Sequence, residues 1–237
     1  IFASDIDRRR LKYLQKKYRI NVFGENLAIS SISDVVILSV KPQVMDEVLG
    51  RIGGKIKRNQ LVISIAAGIR LSRLEKAFPK VPVIRVMPNN PALIGEGISA
   101  ISSGKFAKDK DIKITEKIFS SVGETLRVPE KLMDSVTALS GSGPGFIYYF
   151  LEALIEGGIA AGLPRDISKR LAIQTALGSI RTVKETNKSP EELRGWVTSP
   201  SGTTLAGLKV LDKRKFKKTV LEAIVAAKER AFELSRV

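Results

Sequence analysis

The chain has neither cysteine nor histidine among its 237 residues. The lack of cysteine excludes disulfides and thiolate metal ligands, and the lack of histidine excludes imidazole acids, histidine-based triads and histidine metal ligands. Any reaction must therefore use hydroxyls, amides, lysines or carboxylates. We expect no metal site and no histidine-dependent chemistry of the lactate or malate dehydrogenase type.

A targeting signal and an uninterrupted apolar span are also absent, so we expect a cytoplasmic protein with no membrane partner. Forty Lys and Arg against 24 Asp and Glu give a formal net charge of +16. The basic residues are mixed with acidic ones along helices and are not interleaved with aromatics, so we expect no nucleic-acid partner. A hydrophobic content of 43% suffices for one large or two modest domains.

The first half of the chain alternates apolar runs with amphipathic stretches. Runs rich in Val and Ile, apolar on both faces, occur at 35–40, 61–66 and 83–87, and helices fill the gaps. A strand, a helix and a strand follow at 98–102, 108–122 and 125–128. This spacing predicts a doubly wound α/β domain of the Rossmann type over residues 1–129.

The second half has helical periodicity throughout. From Lys131 onward, apolar residues recur at helical spacing, as at Phe146, Tyr149 and Phe150. We therefore predict an all-α domain over residues 130–237. The sequence Ser-Gly-Ser-Gly-Pro at 140–144 lacks the lysine of a P-loop, and we interpret it as a tight connection between helices.

Residues 199–204, with the sequence SPSGTT, combine short hydroxyl side chains with a turn that opens a helix. Pro200 fixes one φ angle and Gly202 permits an unusual one, beside the unpaired N–H groups of a helix start. Such a turn suits a small carboxylate. The alternative interpretation is an ordinary Ser or Thr N-cap.

Small and polar residues follow three of the predicted strands. Lys41 and Pro42 follow the first, Ala66 and Ala67 follow the second, and a Met-Pro-Asn sequence at 87–89 follows the third. Open α/β sheets bind ligands at the carboxyl ends of their strands, so this edge is a candidate ligand site. The alternative is that these residues serve only turns.

The first five residues have the pattern of the end of a second Rossmann strand, where a polar residue meets the adenosine ribose. No G-x-G-x-x-G occurs, so the first strand and its glycine loop are absent from this sequence. We expect either a natural chain that begins further upstream or one with impaired pyrophosphate binding. Asp5 favours an unphosphorylated ribose, whereas Ser4 and Arg8 suit a 2′-phosphate, so the choice between NADPH and NADH stays open.

Five motifs occur in the order and spacing of the pyrroline-5-carboxylate reductases, which catalyse the last step of proline synthesis. They are VKPQ at 40–43, AAG at 66–68, RVMPN at 85–89, LSGSGP at 139–144 and SPSGTT at 199–204. The chain resembles that family over nearly its whole length. The resemblance implies NAD(P)H-dependent reduction of L-1-pyrroline-5-carboxylate to L-proline. It also implies a homodimer through the helical domain, or a ring of such dimers.

The resemblance further implies roles for individual residues. Thr204 would be the catalytic residue, its hydroxyl hydrogen-bonded to the ring nitrogen. The substrate would be bound by Val197, Ser199, Gly202, Thr203 and Thr204. NADPH or NADH would be bound by Ser4, Asp5, Arg8, Asn26, Val40, Lys41, Pro42, Ala66, Ala67, Met87, Pro88, Asn89 and Glu130.

Two other functions fit parts of the sequence. A hydroxyacid dehydrogenase of the 6-phosphogluconate type shares the expected fold, but its catalytic helix carries a lysine that residues 144–158 lack. A non-catalytic ligand-binding protein would explain the missing glycine loop and the large positive charge.

Overall fold

The computed structural model describes residues 1–235, which form two units. The first unit comprises Ile1–Ser142 together with the chain from Ala227, and the second comprises Gly143–Ala226. The domain boundary that the sequence predicts after residue 129 stays a prediction. Residues 236–237 of the predicted helical domain lie outside the described residues.

The strands of the first unit form two sheets. They are β1 Phe2–Ser4, β2 Asn21–Phe23, β3 Val35–Leu38, β4 Leu61–Ser64, β5 Val83–Met87, β6 Gly97–Ser103 and β7 Gly123–Arg127. β1 and β2 form a parallel pair, and β3 to β7 form a five-stranded sheet in chain order. β3, β4 and β5 are parallel. β6 is antiparallel to β5, because the short link between them contains a 3-10 turn and no crossover helix.

Helices cover both faces of the larger sheet. The helices of the first unit are α1 Arg8–Tyr18, α2 Asn26–Ser30, α3 Met45–Ile52, α4 Leu71–Ala77, α5 Asp109–Phe119 and α6 Met133–Val136. Leu74 of α4 and Val62 of β4 belong to one buried cluster, whereas Phe119 of α5 and Ile63 of β4 belong to another. Because β4 points alternate residues into the two clusters, its first three residues are all apolar. The predicted Rossmann-type α/β fold is confirmed.

The second unit is helical. It contains α7 Gly143–Ala160, α8 Arg165–Thr186, α9 Pro190–Trp196 and α10 Thr203–Lys213, and α11 Phe216–Leu234 begins in this unit and ends in the first. α7 and α8 approach closely where the Ser168 hydroxyl donates to the Ile155 carbonyl at 2.7 Å. Gly158 permits this approach, because a Cβ there would collide with the Ser168 hydroxyl. The predicted all-α second half is confirmed.

Local sequence signals set several helix ends. The Asp7 carboxylate accepts hydrogen bonds from the first amides of α1, and α1 ends at Arg19 in the left-handed conformation. Ser189 and Glu192 form a reciprocal capping box at the start of α9. Among residues 1–235, no helix combines the length and the apolar character needed to cross a membrane.

Candidate functional site

The loops after three parallel strands lie at one edge of the larger sheet. β3, β4 and β5 run in the same direction, so their carboxyl ends meet at this edge. The structure brings together there Val40, Lys41, Pro42, Ala66, Ala67, Met87, Pro88 and Asn89. This edge has the location of a nucleotide site in an open α/β sheet, and the individual cofactor contacts stay predictions.

The loop after β3 presents a cation to solvent. Val40 packs against the buried cluster, and Lys41 is exposed. The amide of Val44 donates to the Lys41 carbonyl at 3.1 Å, which closes the 3-10 turn that begins at Pro42. The fixed turn therefore holds an ammonium group where an anionic ligand at the edge can be attracted to it.

The loop after β4 is made of small residues packed tightly against the rest of the first unit. Ala66 is buried and Ala67 is half-buried. Gly68 has a φ of 76°, and a Cβ there would lie 3.1 Å from the Leu234 carbonyl oxygen. The turn thus needs glycine both for its left-handed conformation and for the close approach of the end of α11.

The loop after β5 is held by its own amide side chain. The Asn89 Oδ1 atom accepts a hydrogen bond from the Ile98 amide at 2.9 Å. Met87 lies against Gly141, where a Cβ would approach the methionine methyl to 2.7 Å. Gly141 ends a π-helical turn, Thr137–Gly141. The prediction of a tight inter-helix connection from residue 140 is therefore wrong at its start, because Ser140 and Gly141 are helical and Gly141 makes room for Met87.

Polar side chains lie together at the end of the two-stranded ladder. The Ser4 hydroxyl donates to the Asn26 Oδ1 atom at 2.8 Å. The Asp5 carboxylate accepts a hydrogen bond from the Asp7 amide at 2.9 Å, and Arg8 is exposed at the start of α1. The structure thus places Ser4 and Asn26 in direct contact, although they are 22 residues apart.

Glu130 lies within a group of charged residues that the sequence reasoning did not assemble. Its Oε1 atom accepts a hydrogen bond from the Leu71 amide at 2.6 Å and lies 3.4 Å from Nη1 of Arg85. Burial lowers the pKa of the Arg85 guanidinium, and the nearby Glu130 and Asp134 carboxylates oppose that shift. One feature of the sequence could have revealed this group, namely the arginine within the otherwise apolar strand VIRVM.

The turn before α10 has the geometry of a proline turn followed by a helix start. The Gly202 amide donates to the Ser199 carbonyl at 3.1 Å, with Pro200 and Ser201 between them. Ser201 has a φ of 61°, whereas Gly202 has a φ of −75°. The expected unusual angle therefore falls on Ser201. Gly202 instead lies close to Ser199, and a Cβ there would displace the Ser199 hydroxyl.

The N-cap residue of α10 is a glycine, Gly202, and no side-chain capping bond is found there among residues 1–235. The alternative of an ordinary Ser or Thr N-cap is therefore wrong. The amides of Thr203 and Thr204 lie in the first turn, where a helix has no internal acceptors for them. Thr203 is exposed and Thr204 is half-buried, and Val197 lies at the C-cap of the preceding α9.

Carboxylates do not form a metal site in the part of the chain that the structure describes. No group of three or more potential acidic, cysteine or histidine ligands is found within residues 1–235. The arrangement instead offers small loops and single charges in the first unit and free helix-start amides in the second, which suit organic anions.

Comparison with known families gives two matches. Residues 130–234 match the family described as pyrroline-5-carboxylate reductase dimerisation, and residues 1–68 match the family described as NADP oxidoreductase coenzyme F420-dependent. A pyrroline-5-carboxylate reductase of Synechocystis is 46% identical over 227 residues, covering 96% of this chain and 85% of the relative.

Solved structures agree with these matches. Plasmodium falciparum pyrroline carboxylate reductase with NADP bound has a TM-score of 0.90 and 34% identity, covering 99% of this chain and 87% of that one. A pyrroline-5-carboxylate reductase from Coxiella burnetii has a TM-score of 0.92 and 32% identity, covering 100% of this chain and 89% of that one.

Proposed function

We propose roles for the residues of this chain from the premise that it belongs to the pyrroline-5-carboxylate reductase family. It is an NAD(P)H-dependent oxidoreductase that reduces L-1-pyrroline-5-carboxylate to L-proline. Membership of this family excludes the two alternative functions, a hydroxyacid dehydrogenase and a non-catalytic binding protein. The observation that carries the residue roles is the turn before α10, whose helix-start amides and hydroxyls are not consumed by capping.

The carboxyl edge of the first unit suits the dinucleotide. The Ser4 hydroxyl and the Asn26 amide, hydrogen-bonded to each other, offer polar groups for the ribose end. Lys41 offers a cation, and the small Ala66 and Ala67 leave room for a ring system to lie against the loop. A bound reduced nicotinamide supplies the hydride. Asp5, Arg8, Val40, Pro42, Met87, Pro88 and Asn89 complete the proposed set.

The turn before α10 binds the substrate carboxylate. The backbone amides of Ser199, Thr203 and Thr204 are the proposed donors, with Val197 beside the ring. Gly202 contributes through its place in the turn, because its amide donates to the Ser199 carbonyl. The N-terminus of an eleven-residue helix adds its positive dipole end. The left-handed Ser201 sets the turn in which these amides face the same anion.

Thr204 orients the imine. Its hydroxyl hydrogen-bonds the ring nitrogen while the imine carbon accepts the hydride. A threonine hydroxyl is a poor acid, so the proton on nitrogen comes from solvent or from an already protonated imine. Thr204 therefore acts through geometry and hydrogen bonding, and positioning supplies most of the rate acceleration.

The chain forms a homo-oligomer through its dimerisation family region. We propose a dimer that covers the exposed apolar side chains of α7 and α11, and a ring of dimers as the larger assembly. Tyr149 is 75% exposed, and Phe150 and Phe216 meet with ring centroids 6.0 Å apart near the same surface. Exposed apolar surface of this extent is typical of an interface.

We also propose a cytoplasmic enzyme that binds neither nucleic acid nor membranes. Outside α1, which has basic but no acidic side chains, basic residues are dispersed among acidic ones, as in the ion pairs Lys113–Asp109 and Lys218–Glu222. Dispersed charge of this kind does not form the continuous basic groove that a nucleic acid requires.

Turnover by the purified protein tests the proposed function. NADPH and NADH oxidation is followed separately at 340 nm with pyrroline-5-carboxylate, and proline is measured as the product. We expect proline formation with at least one cofactor, and comparison of the NADPH and NADH rates gives the cofactor preference. A folded oligomer that forms no proline with either cofactor would contradict the assignment.

A further inference from the structure

Arg85 is a buried charge in a strand that is otherwise apolar. The residue is 2% exposed in the middle of β5. Its Nη2 atom is buried without a hydrogen-bond partner among the described residues. A buried guanidinium destabilises a protein unless opposite charges compensate for the lost water. The residues that compensate Arg85 therefore have a structural task that the reaction itself does not explain.

Two carboxylates after β7 supply the opposite charge. Glu130 Oε1 lies 3.4 Å from Arg85 Nη1, and Asp134 Oδ1 lies 4.0 Å from Nη2. Glu130 and Asp134 are four residues apart in consecutive helical turns, which brings both side chains toward β5. Arg70 is a further charge near Arg85, and two hydrogen bonds from its guanidinium hold it to the Ser235 hydroxyl.

Glu130 also completes the start of α4. Its Oε1 atom accepts the hydrogen bond from the Leu71 amide at 2.6 Å. Arg70, the N-cap residue of α4, makes no side-chain capping bond. A carboxylate at this position satisfies a free amide and interacts favourably with the helix dipole. One oxygen atom therefore joins β5 to α4.

That oxygen contacts the chain next to two loops of the candidate cofactor edge. The loop with Ala66 and Ala67 leads into α4 at Leu71, and Met87 follows Arg85 by two residues on β5. We propose that Arg85 and Glu130 are positioning residues: they fix the spacing of these two loops, and so the dinucleotide affinity, without touching the dinucleotide. This inference rests on the proposed function and replaces the direct cofactor contact expected for Glu130.

Glu130→Gln, Arg85→Lys and the double variant of the full chain test the pair. The amide introduced by Glu130→Gln can still accept from the Leu71 amide but has no charge, and the lysine introduced by Arg85→Lys keeps the charge but loses the guanidinium fork. We expect each single variant to raise the NADPH Kd and KM about tenfold, with kcat and the substrate KM within about twofold. The double variant should be no worse than the weaker-binding single variant, because the two residues act as a unit.

The readouts are NADPH titration by fluorescence, steady-state kinetics and the Tm of the protein without cofactor. Glu47→Gln is the matched control, because Glu47 is an exposed glutamate paired with Arg51 at 2.8 Å on α3. The NADPH Kd of Glu47→Gln should equal that of the wild type. Asp134→Asn provides a milder variant that leaves the α4 cap intact, and it should raise the Kd about threefold even if Arg85→Lys does not fold.

Several outcomes would overturn the inference. A raised Kd in Glu130→Gln with an unchanged Kd in folded Arg85→Lys would indicate a direct contact of Glu130 with the cofactor. Additive effects in the double variant, or a lower Tm with an unchanged Kd, would also exclude positioning by the pair, as would an unchanged Kd in Asp134→Asn. Wild-type protein with affinity for neither NADPH nor NADH would overturn the proposed function and this inference together, whereas wild-type affinity with unaffected variants overturns the inference alone.

Discussion

The two units differ in where their apolar side chains are buried. In the first unit, both faces of the larger sheet have a buried cluster within the same chain. In residues 143–226, only Ser168 and Ala172 are buried, and large side chains such as Tyr149, Trp196 and Val210 are at least 60% exposed. The first unit therefore obtains its burial from its own chain, whereas the second requires a partner surface.

This contrast explains how one chain with 43% hydrophobic residues can form both a buried core and an exposed apolar surface. A sheet covered by helices on both faces stabilises itself, since its central strands β4 and β5 are buried within the same chain. Long helices packed pairwise retain an apolar face, and in a homo-oligomer that face becomes an interface. The family match of residues 130–234 to a dimerisation region agrees with this difference.

Removing core volume from the first unit should give the largest effect. Leu74 is fully buried on α4. Leu74→Ala should lower the free energy of unfolding by about 2–5 kcal/mol, because it removes buried methyl groups and leaves a cavity. Urea unfolding at a fixed protein concentration measures the change. Leu126→Ala on the exposed side of β7, 53% exposed, is the control and should cost less than about 1 kcal/mol. Equal costs would mean that burial does not provide the stability of the first unit, and the contrast with the second unit would lose its basis.

A charge on the exposed face of the second unit should instead act on assembly. Tyr149→Asp places a carboxylate on α7 where the partner surface is proposed. We expect the dimer dissociation constant to rise at least about 100-fold, because the interface would bury an unpaired charge. Sedimentation velocity over a concentration series measures it. Tyr13→Asp on α1, at a tyrosine 50% exposed in the first unit, should leave assembly unchanged. A wild-type monomer at micromolar concentration would contradict the proposal.

The candidate sites show the same difference, since the cofactor edge rests on buried strands and the substrate turn lies in the exposed unit. Thr204→Val keeps the branched shape and deletes the hydroxyl. Loss of the hydrogen bond to the imine nitrogen should cost roughly 1.5–3 kcal/mol in transition-state stabilisation, about ten- to a hundredfold in kcat/KM. Folding should be nearly unaffected.

Thr203→Val is the matched variant for Thr204→Val. Its proposed contact is a backbone amide that the substitution retains, so kcat/KM should fall only modestly. Steady-state kinetics and Tm are measured for both. Unchanged kcat/KM in a stable Thr204→Val enzyme would withdraw the catalytic role of the hydroxyl.

The sequence predicted the elements of this fold better than the contacts between them. Apolar periodicity identified β3, β4 and β5 and the helical second half, because burial on two faces or along one stripe leaves a direct pattern in the chain. The pairing of Ser4 with Asn26, and of Arg85 with Glu130, depends on residues 22 and 45 positions apart. Tertiary packing decides such pairs, and local spacing does not encode them.

The substrate turn shows that prediction from the sequence is least accurate at the level of single residues. The SPSGTT sequence predicted a turn before a helix, which the structure contains. Turn chemistry assigns the positive φ angle to glycine, yet Ser201 adopts it and Gly202 serves a close approach to Ser199. Which of two adjacent residues takes the left-handed conformation depends on the neighbouring hydroxyl and carbonyl positions, which the sequence alone does not provide.

The two units also differ in their ion pairs, for which we expect the smallest effect on stability. In the first unit, Arg127 of β7 joins Glu116 and Asp109 of α5, whereas the pairs Arg194–Glu191 and Lys218–Glu222 of the second unit join neighbours on one helix. Hydrogen bonding by Arg127 lowers the pKa of Glu116. Lys113 and, to a lesser extent, Arg127 lower the pKa of Asp109. Asp109 is exposed and Glu116 is partly exposed, so solvent and salt reduce the stabilisation.

Arg127→Met tests this network through its pH dependence. Because both folded-state pKa values lie below the unfolded ones, the network stabilises the protein above the unfolded carboxylate pKa of about 4, and the stabilisation is lost as the pH falls through the folded values. The Tm gap between wild type and Arg127→Met should therefore be largest near pH 7 and shrink toward pH 3, and 0.5 M salt should reduce it at pH 7 (about a 4 Å Debye length). Arg51→Met, which breaks the local pair with Glu47, should give a smaller gap. A gap for Arg127→Met that persists unchanged to pH 3 would mean that the side chain stabilises the first unit by packing its methylenes and not by its charge.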